Sequence, residues 1–258
     1  MATVMLDAGH GGYDNGASFN GRREKDDTLN LALAVGNILE NRGVDVLYTR
    51  TTDIYQSPAQ KARIANESDA DYFISIHRNS STSPDMYSGV QTLVYDNSGI
   101  PAVFAENINS ELAKTGFKNI GVEERKNLAV LRRTKMPAAL VEAGFINTEA
   151  DNNIFDLKFP EVAQAIANGI IETVSGADVT GNETNGYWVE IGLFRHYENA
   201  KNLAQNLQAD GIDSIIVPNN NNHYGVYHGV YDDYNKVEAA NREIFNKGYE
   251  TRIVQRSI

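Results

Sequence analysis

The chain has 258 residues, 41% hydrophobic and 22% charged, which suits one large soluble domain or a domain plus a small module. A formal net charge of −11 argues against nucleic acid or an anionic membrane as partner. With no cysteine there is no disulfide framework, no thiolate nucleophile and no zinc–sulfur site, so any metal must sit on histidines and carboxylates.

In chain order, the first strand is expected over Thr3–Asp7, and it runs into a glycine-rich turn, MLDAGHGGYDNGA, with His10 between Gly9 and Gly11-Gly12. A histidine there is a metal ligand, an acid–base group or a plain loop residue, and the turn alone does not choose. Next comes a helical pattern in DDTLNLALAVGNILENRG, with Leu29, Ala32, Leu33, Gly36 and Leu39 on one stripe. Asp26 and Asp27 open it and Gly43 lies just past its end. Further strands are expected over Val44–Thr49, Tyr72–His77, Gly89–Val94 and Ala138–Gly144, and further helices over Ser57–Glu67, Pro101–Thr115 and Pro160–Val174. This alternation predicts an α/β fold with a mainly parallel sheet flanked by helices. Ser175–Gly186 is polar and rich in Gly, Asn and Thr, and reads as a linker between a domain over 1–174 and a second over 187–258. No run reaches the roughly 18 apolar residues of a membrane-spanning helix. The start, MATVMLDAGHGG, lacks a basic segment followed by an apolar one, so synthesis in the cytoplasm without a signal peptide is expected.

The strand ends carry the chemistry. His10 follows the first strand, His77 ends YFISIH, and Glu142 lies near the end of AALVEAGF. Ligands of open α/β sheets bind beyond the carboxyl ends of the strands, so these three groups converge on one edge. Glu24, just before the first helix, is able to lean over the same edge. Two imidazoles and one carboxylate make the usual three-ligand set of a hydrolytic zinc site, and a second carboxylate serves as general base. An acidic residue inside an apolar strand, as at Glu142, is costly unless it has a partner. Against this, a glutamate before a helix is commonly a surface residue complementing the helix dipole, His77 is as readily structural, and no HExxH is present. From the residues alone the chain is a candidate zinc hydrolase.

Several ordered motifs narrow the reading. DAGHGG at 7–12, Glu24-Lys25, RTTD at 50–53, FISIHRNS at 73–80 and MPAALVEAGFINT at 136–148 resemble the zinc-dependent N-acetylmuramoyl-L-alanine amidases of the bacterial cell wall. The resemblance covers about residues 1–174. It implies one zinc per chain held by His10, Glu24 and His77, with Glu142 as catalytic carboxylate and Asn79 near the substrate. Two positions depart from the pattern: Lys61 where relatives often carry arginine, and Arg78 where a small residue is usual, the latter bearing on substrate fit.

The tail repeats itself. Residues 187–217 align with 224–254 at a shift of 37, pairing Tyr187 with Tyr224, Val189 with Val226, Gly192 with Gly229, Leu207 with Ile244, Gly211 with Gly248 and Val217 with Val254. Each half reads strand, helix, glycine stop, strand, which predicts a βαββαβ module: a four-stranded antiparallel sheet with two helices on one face. This is similar to the SPOR domain, which implies binding to peptidoglycan glycan strands stripped of their peptides. Alternation puts Tyr187, Val189 and Ile191 on one face and Trp188, Glu190 and Phe194 on the other, with Tyr227 and Tyr231 matching Glu190 and Phe194. The second set of aromatics is either core or an open stacking platform for sugar rings. Seven Lys/Arg against nine Asp/Glu in this module disfavour nucleic acid.

The resulting expectation is an amidase acting on the cell wall, in mother-cell or wall lysis. Its rivals are a stem-peptide peptidase and a non-catalytic wall-binding protein.

Overall fold

The computed structural model describes residues 2–178, 186–219, 223–231 and 234–256. It divides into two compact units, Met1–Thr173 and Val174–Ile258.

The first unit runs β1 (Thr3–Ala8), a short hairpin of β2 (Ser18–Phe19) and β3 (Arg22–Arg23), α1 (Glu24–Asn41), β4 (Asp45–Tyr48), α2 (Pro58–Asn66), β5 (Tyr72–Asn79) and β6 (Val90–Val94). It continues through α3 (Gly99–Lys114), β7 (Asn119–Glu124), α4 (Ala129–Arg133), β8 (Ala138–Phe145), α5 (Glu149–Leu157) and α6 (Phe159–Asp178). Six strands form one sheet in the order β4-β1-β5-β8-β6-β7, parallel throughout except where β6 runs against β8. The central strands β1, β5 and β8 are buried on both faces, and their near-continuous apolar runs are what a helix-covered parallel sheet requires. Met5, Phe73, Leu93, Leu131 and Leu140 make one of the packed clusters. The carboxyl ends of β1, β5 and β8 share an edge, as the expected fold demands.

Several details differ from the sequence expectation. The helix α1 begins at Glu24 itself, and its buried stripe is Thr28, Leu31, Ala32, Val35, Gly36 and Leu39, leaving Leu29 and Leu33 only half-buried. Its phase is set by Glu24 and Thr28, which face the sheet edge; the Thr28 hydroxyl donates to the Gly9 carbonyl at 2.8 Å. Ser57 caps α2 through a reciprocal capping box with Gln60, and Pro58 takes the first helical position. The helix α6 runs to Asp178, beyond the expected end at Val174, so the first residues of the expected linker are helical. The linker's residues 179–185 lie outside the described ones. The hairpin β2–β3, the strand β7 and the helices α4 and α5 are not among the expected elements.

The second unit runs β9 (Gly186–Phe194), α7 (Tyr197–Ala209), β10 (Ile215–Asn219), β11 (His223–Tyr231), α8 (Tyr234–Asn246) and β12 (Arg252–Arg256). Its sheet is antiparallel in the order β10-β11-β9-β12. Val189, Ile191 and Val226 pack with Ala200 and Leu207 of α7 and Val237 and Ile244 of α8. Phe194 and Tyr231 join this helix-side core, which corrects their expected place on the opposite face. The register shifts between Val226 and Tyr227 and again between His228 and Tyr231. Each irregularity inserts a residue and resets the alternation, so side chains beyond it change face. Trp188 and Tyr227 lie on the other side with Val217, and both are buried there rather than open.

Candidate metal centre and active site

The turn after β1 is held from outside. The Arg50 guanidinium donates to the Ala8 carbonyl at 3.0 Å and to the Gly9 carbonyl at 2.8 Å. Lys25 Nζ bridges the Gly12 carbonyl at 2.6 Å and Asp53 Oδ2 at 2.7 Å, while Asp53 Oδ1 accepts from the Gly12 amide at 2.7 Å. The RTTD and Glu24-Lys25 motifs therefore brace the backbone that presents His10, itself in the left-handed region at φ 59°. Two glycines are required by close approach. A Cβ on Gly9 would lie 2.5 Å from the His77 ring, and one on Gly16 would lie 2.5 Å from Glu24 Oε2.

Three side chains meet in the space so left. His10 Nε2 lies 3.1 Å from Glu24 Oε2, and His77 Nδ1 lies 2.9 Å from Glu24 Oε1. One ligand atom from each of the three falls within 4.8 Å of the others, so the group is able to hold a metal ion. The Glu24 carboxylate is buried and also accepts from the Ala17 amide at 2.8 Å and the Arg78 amide at 3.1 Å. Burial raises its pKa, but bonds from both histidines outweigh burial and hold the carboxyl well below the usual range. Burial lowers the His10 pKa, yet hydrogen bonds and charge from Glu24 and Asp14 carry it up to about 9. Asp14 Oδ2 contacts His10 Nδ1 at 2.9 Å, which turns Nε2 toward Glu24. Sequence reasoning missed Asp14. Its position four residues after His10 gives no signal by itself, because the contact exists only once the turn has folded.

Glu142 lies outside that trio. It is in register with His77 on the neighbouring parallel strand, so the two side chains leave the same face of the sheet. One carboxylate oxygen, Oε2, is buried with no hydrogen-bond partner among the described residues, and burial pushes the pKa up to about 7. Asn79, two residues beyond His77, pairs with Phe145 in the sheet, and its side-chain oxygen accepts from the Ser80 amide at 2.8 Å.

The two departures from the family pattern have internal explanations. Lys61 is buried, pairs with Asp7 Oδ1 at 2.7 Å and also donates to the Ala8 carbonyl. Asp7 accepts from Thr49 and Ser75 as well, so this buried group anchors β1 just ahead of His10. The Arg78 side chain does not enter the site. It donates to Asp27 Oδ2 at 2.8 Å and Asn152 Oδ1 at 2.8 Å, and stacks 4.0 Å from the Phe155 ring centre.

Comparisons with known proteins identify the family. A family model described as N-acetylmuramoyl-L-alanine amidase matches residues 4–172, and a SPOR domain model matches 183–250. The chain is 38% identical over 223 residues to a sporulation-specific N-acetylmuramoyl-L-alanine amidase of Bacillus subtilis (strain 168), covering 84% of this chain and 85% of that one. It is 37% identical over 222 residues to the N-acetylmuramoyl-L-alanine amidase CwlM of Bacillus licheniformis, with the same coverage of 84% and 85%. Among solved structures, the catalytic domain of the amidase CwlV from Paenibacillus polymyxa superposes with a TM-score of 0.62 at 34% identity, over 68% of this chain and 99% of that one. The chain belongs to the N-acetylmuramoyl-L-alanine amidase family, hydrolases that cut the amide between N-acetylmuramic acid and L-alanine in peptidoglycan, and it carries a SPOR domain after its amidase region.

Proposed function

We propose that the amidase centre works with one zinc ion per chain held by His10, Glu24 and His77, and that Glu142 is its acid–base group. Two imidazole nitrogens and a carboxylate oxygen, without sulfur, are the donors a hydrolytic zinc site uses, and the glycine cradle leaves these three side chains together. When bound, the ion supplies Lewis acidity to the scissile carbonyl and acidifies the attacking water. Glu142 takes the proton from that water and hands it to the departing amine of L-alanine. A carboxyl whose pKa stands near 7 is suited to both halves of this transfer. The carrying observation is the buried Glu142 oxygen with no partner, in register with His77. Asn79, at the same strand end, is proposed to contact the substrate.

The catalytic domain expected over 1–174 is carried to Asp178 by α6 and the wall-binding domain expected over 187–258 opens with β9 at Gly186, so the linker is assigned to 179–185. The second domain would hold glycan strands already stripped of peptide, concentrating the enzyme where cleavage has begun. Similarity to a sporulation-specific amidase supports a role in sporulation, which we read as lysis of the mother-cell wall.

Digestion of purified peptidoglycan, with fragments read by mass spectrometry, tests the centre. Free lactyl ends and intact stem peptides are expected, lost with a chelator and restored by zinc. His10→Ala and His77→Ala should each lose both tight zinc binding and activity. Full stoichiometric zinc in either purified variant removes that residue from the ligand set.

A further inference from the structure

We propose that the stacked pair Tyr13 and Tyr55, on the rim beside His10, is a subsite for a saccharide ring of the glycan, which makes the enzyme favour oligosaccharide substrates over single muropeptides; this rests on the amidase reading of the centre. The two rings lie 4.1 Å apart between centroids with an interplanar angle of 28°. Yet Tyr13 is 79% exposed and Tyr55 38% exposed. A single exposed tyrosine needs no explanation. A pair stacked face to face in water does.

The backbone on both sides of the pair is held in place. Tyr13 follows Gly12, whose amide and carbonyl are fixed by Asp53 and Lys25. Tyr55 stands two residues after Asp53, on the other side of that clamp. The Gly12 backbone packs so closely on Tyr55 that a Cβ there would lie 2.7 Å from the Tyr55 amide nitrogen. A backbone bridge between Gly11 and Asp14 closes the turn around Tyr13. An aromatic surface ordered in advance loses little entropy when a ligand arrives.

The surroundings select the ligand. Tyr13 is three residues from His10 in the chain and next to Asp14, the residue that touches the His10 ring, so one turn carries both the pair and the ligand histidine. Asp14 and Asp53 flank the pair with side chains 41% and 47% exposed. Their carboxylates accept hydrogen bonds from ring hydroxyls and repel the carboxylates of a stem peptide. A neutral ring with an apolar C–H face and a rim of hydroxyls matches aromatic faces bordered by acceptors. The scissile amide joins sugar to peptide, so any substrate at this centre must extend sugar to one side.

The test measures kcat/KM of the full zinc-loaded chain on two substrates: a single N-acetylmuramoyl peptide, and a tetrasaccharide carrying the same peptide. The ratio of the second value to the first is the readout. Tyr13→Ala and Tyr55→Ala should each lower that ratio about tenfold, mainly through KM on the tetrasaccharide, while Tyr13→Phe keeps most of it. An unchanged ratio in both alanine variants overturns the subsite, as does an equal loss on the two substrates, which would mean that the pair only supports the His10 turn. The amidase reading is judged separately, by whether the wild-type chain releases peptide from either substrate.

Discussion

Around the centre, Asp7, Asp14, Glu24 and Asp53 all have hydrogen-bond partners, whereas Glu142 has a buried oxygen without one among the described residues. The Glu142→Gln variant keeps the shape and loses the proton-accepting oxygen, so zinc content and fold should persist while turnover falls about 10²–10⁴-fold. Loss of zinc in that variant would make Glu142 a ligand, and near-normal turnover would remove it from the mechanism. The same residue predicts a pH effect on stability. Its folded pKa, about 7, exceeds the ordinary value of 4.5, so the folded state binds more protons in that window. The stability contributed by the protonated group is complete below about 4.5 and disappears as pH rises through 7. Urea unfolding of chelated protein should therefore show Glu142→Gln gaining on wild type between these values, by roughly 2–4 kcal/mol at the upper end. A difference independent of pH would mean that burial is not what raises this pKa.

At the scale of elements, the centre depends on how α1, β5 and α5 are joined. Arg78 leaves β5 beside His77 and ties α1 through Asp27 to α5 through Asn152, over the Phe155 ring. Its backbone amide, which Arg78→Ala leaves in place, separately supports Glu24. Asp27 keeps Arg22 as a partner at 2.6 Å when Arg78 is truncated, so the cost falls on Asn152, nearby carbonyls and lost ring packing. Arg78→Ala should destabilise the chain by about 2–4 kcal/mol in chemical denaturation while binding zinc with near-normal stoichiometry. Zinc loss without loss of stability would reverse that division of labour.

For the whole molecule, the two compact units motivate a truncation. The cut belongs after Asp178, because α6 continues that far. The shortened chain should fold and cleave soluble muropeptides as the full chain does, but sediment poorly with sacculi. Equal sedimentation of the two forms would remove the wall-binding role from the second domain.

The strand–helix alternation, the strand-end groups His10, His77 and Glu142 and the 37-residue repeat were legible in the amino-acid sequence, whereas Glu24 was singled out as a ligand only through the family resemblance. Apolar period identifies strands and helices, and the ends of parallel strands are where polar groups collect. The phase of α1 was not legible: Leu29 and Leu33 fit a helical stripe as well as Leu31 and Val35 do, and only the contact of Thr28 with Gly9 decides between them. Asp14 was not legible as a partner of His10, because a carboxylate in a polar turn looks the same whether or not a ring lies against it. Arg78 sits beside a ligand in sequence, yet its side chain reaches α1 and α5, which come together only in the folded chain. Phe194 and Tyr231 failed for a related reason. Alternation assumes an unbroken ladder, and the irregularities between β9 and β11, which depend on the pairing of strands distant in sequence, turn those rings into the helix-side core.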